Sequence, residues 1–287
     1  MARPSQLGVV FLAYSLGVAI GLTQRTVDFN SFLVGALALL VVASSVHYAN
    51  EYADHETDRL TTRTPFSGGS GALERSGLSR RLPAQATAVT GLFGLGLATW
   101  WTHAGWLVMP AFVVLLSIAV LGWGYSLEPI ALAWRGFGEL DNALLGGFLA
   151  PLYGYAIVVE ALSAFPVVVC LPFALVVFVN LLATQWPDRV ADAAVGKRTL
   201  AVRFSSRRLK RLYSLSCLAA FALLITLRYP LELVPTTVFV ATLPVSPFLV
   251  WGWYVFTDQE SPFPTVTAMV VLLFIQIFGW LVAVGIV

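Results

Sequence analysis

Nine stretches of this chain are long and apolar enough to demand a non-aqueous surrounding: roughly 8–24, 31–52, 84–102, 106–126, 140–159, 164–186, 211–228, 233–256 and 264–286. A helix rising 1.5 Å per residue crosses a hydrocarbon layer in roughly 20 residues. Inside that layer every backbone N–H and C=O must be satisfied within the chain. The runs are continuously apolar rather than alternating, which argues against a strand barrel. The expected fold is all-α, a polytopic membrane protein of about nine transmembrane helices, with residues 1–287 as a single domain. At 58% hydrophobic and 11% charged residues, against roughly 25% charged in soluble domains, a water-soluble globule is excluded. Pro110, Pro151, Pro172 and Pro244 fall inside the runs, where prolines are tolerated or kink helices. MARPSQ followed by GVVFLAYSLGVAIGL reads as a first membrane helix rather than a cleavable leader.

The basic residues orient these spans. With the N-terminus in the cytoplasm, alternate segments face inward. They hold Arg3, five arginines between Arg59 and Arg81, Arg135, and eight basic residues between Arg189 and Arg211. That is fifteen of the seventeen, leaving Arg25 and Arg228 outside. Such an asymmetry is the positive-inside pattern; the expected location is a cell inner membrane, with the active site facing the cytoplasm. The second and sixth spans then run in the same direction, and their inward ends carry the acids that follow.

Asn50, Asp54 and Asp58 are four residues apart, which stacks them on one helical face with a drift of about 40° per step. Glu51 and Glu56 point elsewhere. A second stripe, Asn180, Thr184, Asp188 and Asp192, has the same spacing at the end of the sixth span. Carboxylates at a helix C-terminus add negative charge where the macrodipole is already negative, so both stripes call for a cation. Hard oxygen ligands with incomplete coordination suit Mg²⁺, which keeps waters and completes its shell from phosphates. Arg59, Arg63, Arg135, Lys197, Arg198 and Arg203 on nearby inward loops complement phosphate oxygens. Acids, a divalent cation and a basic rim together describe a diphosphate site at the membrane face.

Other features read more plainly. Cys170 and Cys217 lack metal-ligand spacing and are expected to be packed bystanders. His47 and His55 do not form a metal pair. Trp100, Trp101, Trp251 and Trp253 suit interface belts and packing, and the basic residues at 207–211 suit inward anchors. Gly68–Gly71 is a phosphate cradle or a hinge; the glycines do not say which.

The chain resembles the UbiA superfamily of intramembrane aromatic prenyltransferases. NEYADHETD at 50–58 is similar to the first aspartate-rich motif and DRVAD at 188–192 to the second, about 130 residues apart. RTPFSGGSGAL at 63–73, YSLEP at 125–129, RGFGEL at 135–140 and PDRVADAAVGKRTLAVR at 187–203 look most like the 1,4-dihydroxy-2-naphthoate prenyltransferases of menaquinone synthesis. Three positions depart from the pattern: Glu51 where Asp is common, Glu128 in place of a proline, and Ala133 where a basic residue is frequent. The resemblance implies helices around a central cavity and prenyl transfer from an isoprenyl diphosphate to an aromatic quinone precursor. The expected partners are those two substrates and the lipid bilayer, not a nucleic acid.

On that footing Asn50, Asp54, Asp58, Asp188 and Asp192 hold about two Mg²⁺ ions against the diphosphate. Asn50, Arg63, Lys197 and Arg135 contact its oxygens, and Tyr125 walls the allylic cation or the diphosphate. Two other readings use the same acids. A membrane terpene cyclase would let the cation close on itself, and a cation-coupled transporter would use the stripes as an ion site.

Overall fold

The computed structural model describes residues 3–64, 66 and 68–287; Pro65 and Ser67 of the RTPFSGGSGAL segment lie outside the described residues. Among the described residues the chain is helical, with one isolated bridge and no strand. The principal helices are α1 (Pro4–Gly21), α2 (Phe29–Ala53), α3 (His55–Leu60), α4 (Arg81–His103), α5 (Met109–Ser126) and α6 (Gly138–Val159). They continue with α7 (Leu171–Thr184), α8 (Arg189–Ala194), α9 (Leu200–Arg203), α10 (Ser206–Arg228), α11 (Thr236–Val255) and α12 (Phe263–Ala283).

Seven of these, α1, α2, α5, α6, α10, α11 and α12, are long and apolar enough to cross a membrane. The two remaining expected spans differ from that description. Helix α4 has 23 residues, but its Gln85, Thr87, Thr90 and Thr99 dilute its apolar character. The sixth span is divided into a short turn Ala164–Val169 and a 14-residue α7. The division falls before Pro172, which has no N–H to return to the preceding turn. The same chemistry shapes α6, where a π-turn at Leu145–Leu149 precedes Pro151, and α11, where Leu243–Val245 tightens around Pro244.

Two apolar cores share α1 and α6. One gathers α1, α2, α4, α5 and α6 around Leu39, Leu115 and Tyr153. The other gathers α1, α6, α7, α10, α11 and α12 around Phe173, Leu224 and Leu273. At two points where α1 meets α6 the backbones themselves touch. A Cβ on Gly17 would lie 1.8 Å from the Pro151 carbonyl oxygen, and one on Gly154 would lie 2.1 Å from that of Tyr14. Small residues permit such close helix contact in membranes. Apolar side chains also cover the outside, with Leu92 76% and Leu218 68% exposed, as a lipid-facing surface requires. Cys170 and Cys217 are free and packed, as expected of bystanders. Trp101, expected in an interface belt or in packing, is buried in the first core.

Arg25 pairs with Glu160 at 3.1 Å, at the end of the bundle opposite Arg3, which reaches Glu51. The loop residues that carry the acids and their basic partners gather at the Arg3 end.

Candidate active site

The first acidic stripe is continuous, as its spacing predicts. Asp54 N–H returns to the Asn50 carbonyl and Asp58 N–H to that of Asp54, so the helical register runs from α2 into α3. Asn50 donates through Nδ2 to Asp54 Oδ2 at 2.9 Å and to Ser126 Oγ at 3.3 Å. The first contact orients a carboxylate, and the second ties α2 to the end of α5.

The second stripe is not one helical face. Helix α7 stops at Thr184, and Asp188 caps the new helix α8. Pro187 is the cause. It has no N–H for the Ala183 carbonyl, which instead accepts from Trp186 N–H at 3.3 Å. Thr184 turns its hydroxyl back to the Leu181 carbonyl, while Asn180 Oδ1 is buried without a partner. The stripe is thus two separate i, i+4 pairs, Asn180 and Thr184 within α7 and Asp188 and Asp192 at the start of α8, where Asp192 N–H bonds the Asp188 carbonyl.

Lys197 joins the two motifs. Its ammonium donates to Asp54 Oδ1 at 2.9 Å and lies 3.6 Å from Asp192 Oδ1. The side chain is 8% exposed and the Asp192 side chain 2%. Burial works against the ammonium, but the Asp54 and Asp192 carboxylates outweigh it and hold its pKa above the ordinary lysine value.

The Gly68–Ser70 segment lies across both motifs. Gly68 N–H bonds Asp188. A Cβ on Gly69 would come within 1.8 Å of Asp58 Oδ2, so only a residue without one permits this approach. Ser70 donates its hydroxyl and, at 3.4 Å, its N–H to Glu51. Arg63 braces the segment through the Gly68 carbonyl at 3.0 Å and Glu74 at 2.8 Å. The Phe66 ring sits 6.3 Å from that of Phe263 at the start of α12, so this cover reaches the last helix. Glu51, His55, Asp58 and Arg63 line a narrow cleft beneath it.

Crowded carboxylates titrate high. Asp58 is pushed up to about 7 by burial and by Asp54 and Glu51. Asp188 rises to about 7 through burial and Asp192, and Asp192 to about 6 through burial and Asp54 despite Lys197. Asp188 Oδ1 and Asp192 Oδ1 are buried without a hydrogen-bond partner. Mutually repelling hard oxygens with incomplete hydrogen bonding fit a hard divalent cation, although Asp192 Oδ1 also has the Lys197 ammonium at 3.6 Å. Among the described residues no three His, Cys, Asp or Glu already converge on one ion position; Lys197 is the countercharge between Asp54 and Asp192.

Tyr125 belongs to the same cluster, within electrostatic reach of Lys197, Asp54, Glu139 and Asp192. Arg135 is not brought to the carboxylates. It sits exposed on a short 3₁₀ turn, Leu132–Arg135, and donates to the Pro129 carbonyl at 2.6 Å. Three contributors lie outside the site residues that the sequence assigns. Glu51 points off the acidic stripe, yet it is buried and holds Arg3 at 3.5 Å as well as Ser70. Ser126 receives Asn50. Glu139, fully buried, accepts the Leu200 N–H at 2.7 Å. None of the three has a spacing signal, because each acts across a tertiary contact.

A model described as "UbiA prenyltransferase family" matches residues 9–278. The chain is 23% identical over 209 residues to a "1,4-dihydroxy-2-naphthoate octaprenyltransferase" from Bacillus subtilis (strain 168), covering 70% of this chain. The chain spans 64% of that relative's length. Among solved structures, the apo structure of a UbiA homolog from Aeropyrum pernix K1 superposes with a TM-score of 0.75 at 14% identity, covering 99% of both chains. A UbiA homolog from Archaeoglobus fulgidus bound to DMAPP and Mg²⁺ gives a TM-score of 0.67 at 18% identity, covering 98% of this chain and 97% of that one.

Proposed function

Because this chain belongs to the UbiA prenyltransferase family, we propose that it transfers a prenyl group from an isoprenyl diphosphate to an aromatic quinone precursor, 1,4-dihydroxy-2-naphthoate. The site then lies at the cytoplasmic face of a cell inner membrane. The observation that carries the reading is the meeting of two separate carboxylate motifs on one lysine at one end of an apolar bundle. The Archaeoglobus homolog's DMAPP and Mg²⁺ support the donor class and the ion, and the Bacillus relative supports the acceptor.

In this reading Asn50, Asp54, Asp58, Asp188 and Asp192 would hold Mg²⁺, about two ions, whose charge would offset that of a departing diphosphate. Lys197 and Arg63 bind phosphate oxygens, and Arg135 remains at the rim. The allylic C–O bond breaks as its electron pair leaves with the diphosphate. Tyr125 and the apolar helix faces exclude water from the cation. The acceptor ring carbon forms the new C–C bond and sheds its own proton; the carboxylate then leaves its ring carbon as carbon dioxide, and a proton takes its place.

The test is a product assay with purified protein in nanodiscs, Mg²⁺, geranylgeranyl diphosphate and 1,4-dihydroxy-2-naphthoate, read by mass spectrometry. A prenylated, decarboxylated naphthoquinol is expected, with Asp54→Ala and Asp188→Ala each lowering turnover by about 100-fold or more. Diphosphate release with an acceptor-free terpene would replace transfer by cyclisation. Vectorial ion flux into liposomes with substrates unchanged would replace it by transport.

A further inference from the structure

Lys197 is held in the site by a neighbour that the transfer chemistry does not use. After α8 the chain reverses at Gly196 (φ +83°), and Lys197 N–H bonds the Asp192 carbonyl at 2.9 Å. The next residues are fastened to the loop between α5 and α6. Arg198 N–H donates to the Trp134 carbonyl at 3.1 Å. Leu200 N–H donates to Glu139 Oε1 at 2.7 Å. Gly136 brings its backbone against Arg203, since a Cβ there would meet the guanidinium at 2.5 Å. Lys197 thus sits between a bond on each side, its ammonium 5.8 Å from the Trp134 ring.

Among these contacts the Glu139 bond stands apart. Leu200 is the first residue of α9, and its N–H is one that a helix start leaves without an internal partner. Thr199 caps with no side-chain bond of its own. Glu139 is fully buried and its Oε2 has no hydrogen-bond partner. A buried carboxyl group with one oxygen unpartnered is costly to keep, yet here one is spent on a single backbone N–H three residues from Lys197.

We propose that Glu139 is a positioning residue: by holding Leu200 N–H it fixes the 196–200 turn, and through that turn it sets where the Lys197 ammonium meets the donor diphosphate. The second half of this statement rests on the proposed function, since it takes Lys197 as a diphosphate ligand. The first half concerns the chain alone. Glu139→Gln keeps an oxygen that accepts from Leu200 and loses the charge; Glu139→Leu loses both.

Hydrogen–deuterium exchange in nanodiscs, without substrates, tests the first half. Peptides covering 196–203 should exchange at least tenfold faster in Glu139→Leu and within threefold of wild type in Glu139→Gln. Unchanged exchange in Glu139→Leu would overturn the proposal whatever the enzyme's substrates prove to be. Kinetics test the second half. Glu139→Leu should raise the donor KM at least tenfold and leave the acceptor KM within twofold, and Glu139→Gln should recover most of the loss. On a Lys197→Met background Glu139→Leu should add less than twofold, because its effect passes through the lysine. Full additivity there, or a kcat loss of equal size in Glu139→Gln and Glu139→Leu, would refute action through Lys197. Absence of prenyl transfer by wild type with altered exchange in Glu139→Leu would condemn the functional reading and leave the turn's anchor standing.

Discussion

Replacing Lys197 by Met keeps an apolar stem of similar length and deletes the charge that joins the two motifs. The ammonium is 2.9 Å from Asp54 and 3.6 Å from Asp192, with side-chain exposures of 8%, 14% and 2% respectively. Removing one partner of a buried ion pair costs about 3–5 kcal/mol when the other charge stays. Here proton uptake offers relief. Asp192 titrates at about 6 with the lysine present, and loss of the lysine moves it higher. Lysine's own raised pKa keeps its contribution intact up to and beyond its ordinary value, so the pH dependence within pH 5–8 comes from the acids. The part of the penalty borne by Asp192 is therefore felt at pH 8 and largely relieved at pH 5.5. At about 2 °C per kcal/mol for a chain of this size, the unfolding midpoint should fall by about 6–10 °C at pH 8 and by less at pH 5.5. Tryptophan fluorescence melts in detergent with a chelator present would measure this. Mg²⁺ added at pH 8 should stabilise Lys197→Met more than wild type, since no ammonium need be displaced. Equal losses at both pH values, or equal Mg²⁺ stabilisation of both proteins, would refute the reasoning.

Two further expectations use the same geometry. Gly69 has φ +66° and no room for a Cβ beside Asp58, whereas Gly77 has φ +63° and open space. Gly77→Ala should cost about 1 kcal/mol and leave turnover intact, while Gly69→Ala should cost about 1–3 kcal/mol and lower Mg²⁺-dependent turnover, as melts and product assays would record. Asp58, Asp188 and Asp192 hold protons in the folded chain up to about 7, 7 and 6, above the ordinary 3.8. The metal-free fold therefore loses stability as pH rises from about 4 to about 7, and cation binding must release protons. Apparent Mg²⁺ affinity should weaken by about tenfold or more per unit below pH 6, with proton release counted by calorimetry in two buffers; a pH-independent affinity would refute it.

What could be read in advance follows the range of the interaction. The apolar runs and the Asn50–Asp54–Asp58 register are local; the register stands as the spacing implied, and seven of the nine expected runs form helices long and apolar enough to cross a membrane. The second stripe is equally local, but its period hides Pro187, whose missing N–H ends α7 before Asp188. Residue type marked Lys197 as an anion ligand, and only the fold makes it a bridge between carboxylates 138 positions apart in the chain, Asp54 and Asp192. Arg135 had the right chemistry and loop, yet a carbonyl three dimensions nearer, that of Pro129, claims it. Glu51 and Glu139 could not be chosen from other acids, because their partners, Ser70 and Leu200, become neighbours only when loops pack.

The bare seam between α1 and α6 has a mechanical consequence. Two helices separated by side chains can slide by exchanging rotamers; where Gly17 rests on Pro151 and Gly154 on Tyr14, there is no such lubricating layer. The pair behaves as a stiff spine common to both cores. A bundle built this way makes room for an apolar substrate by its outer helices leaning away from that spine, or by the Gly68–Ser70 cover lifting, and not by the two halves swinging about it.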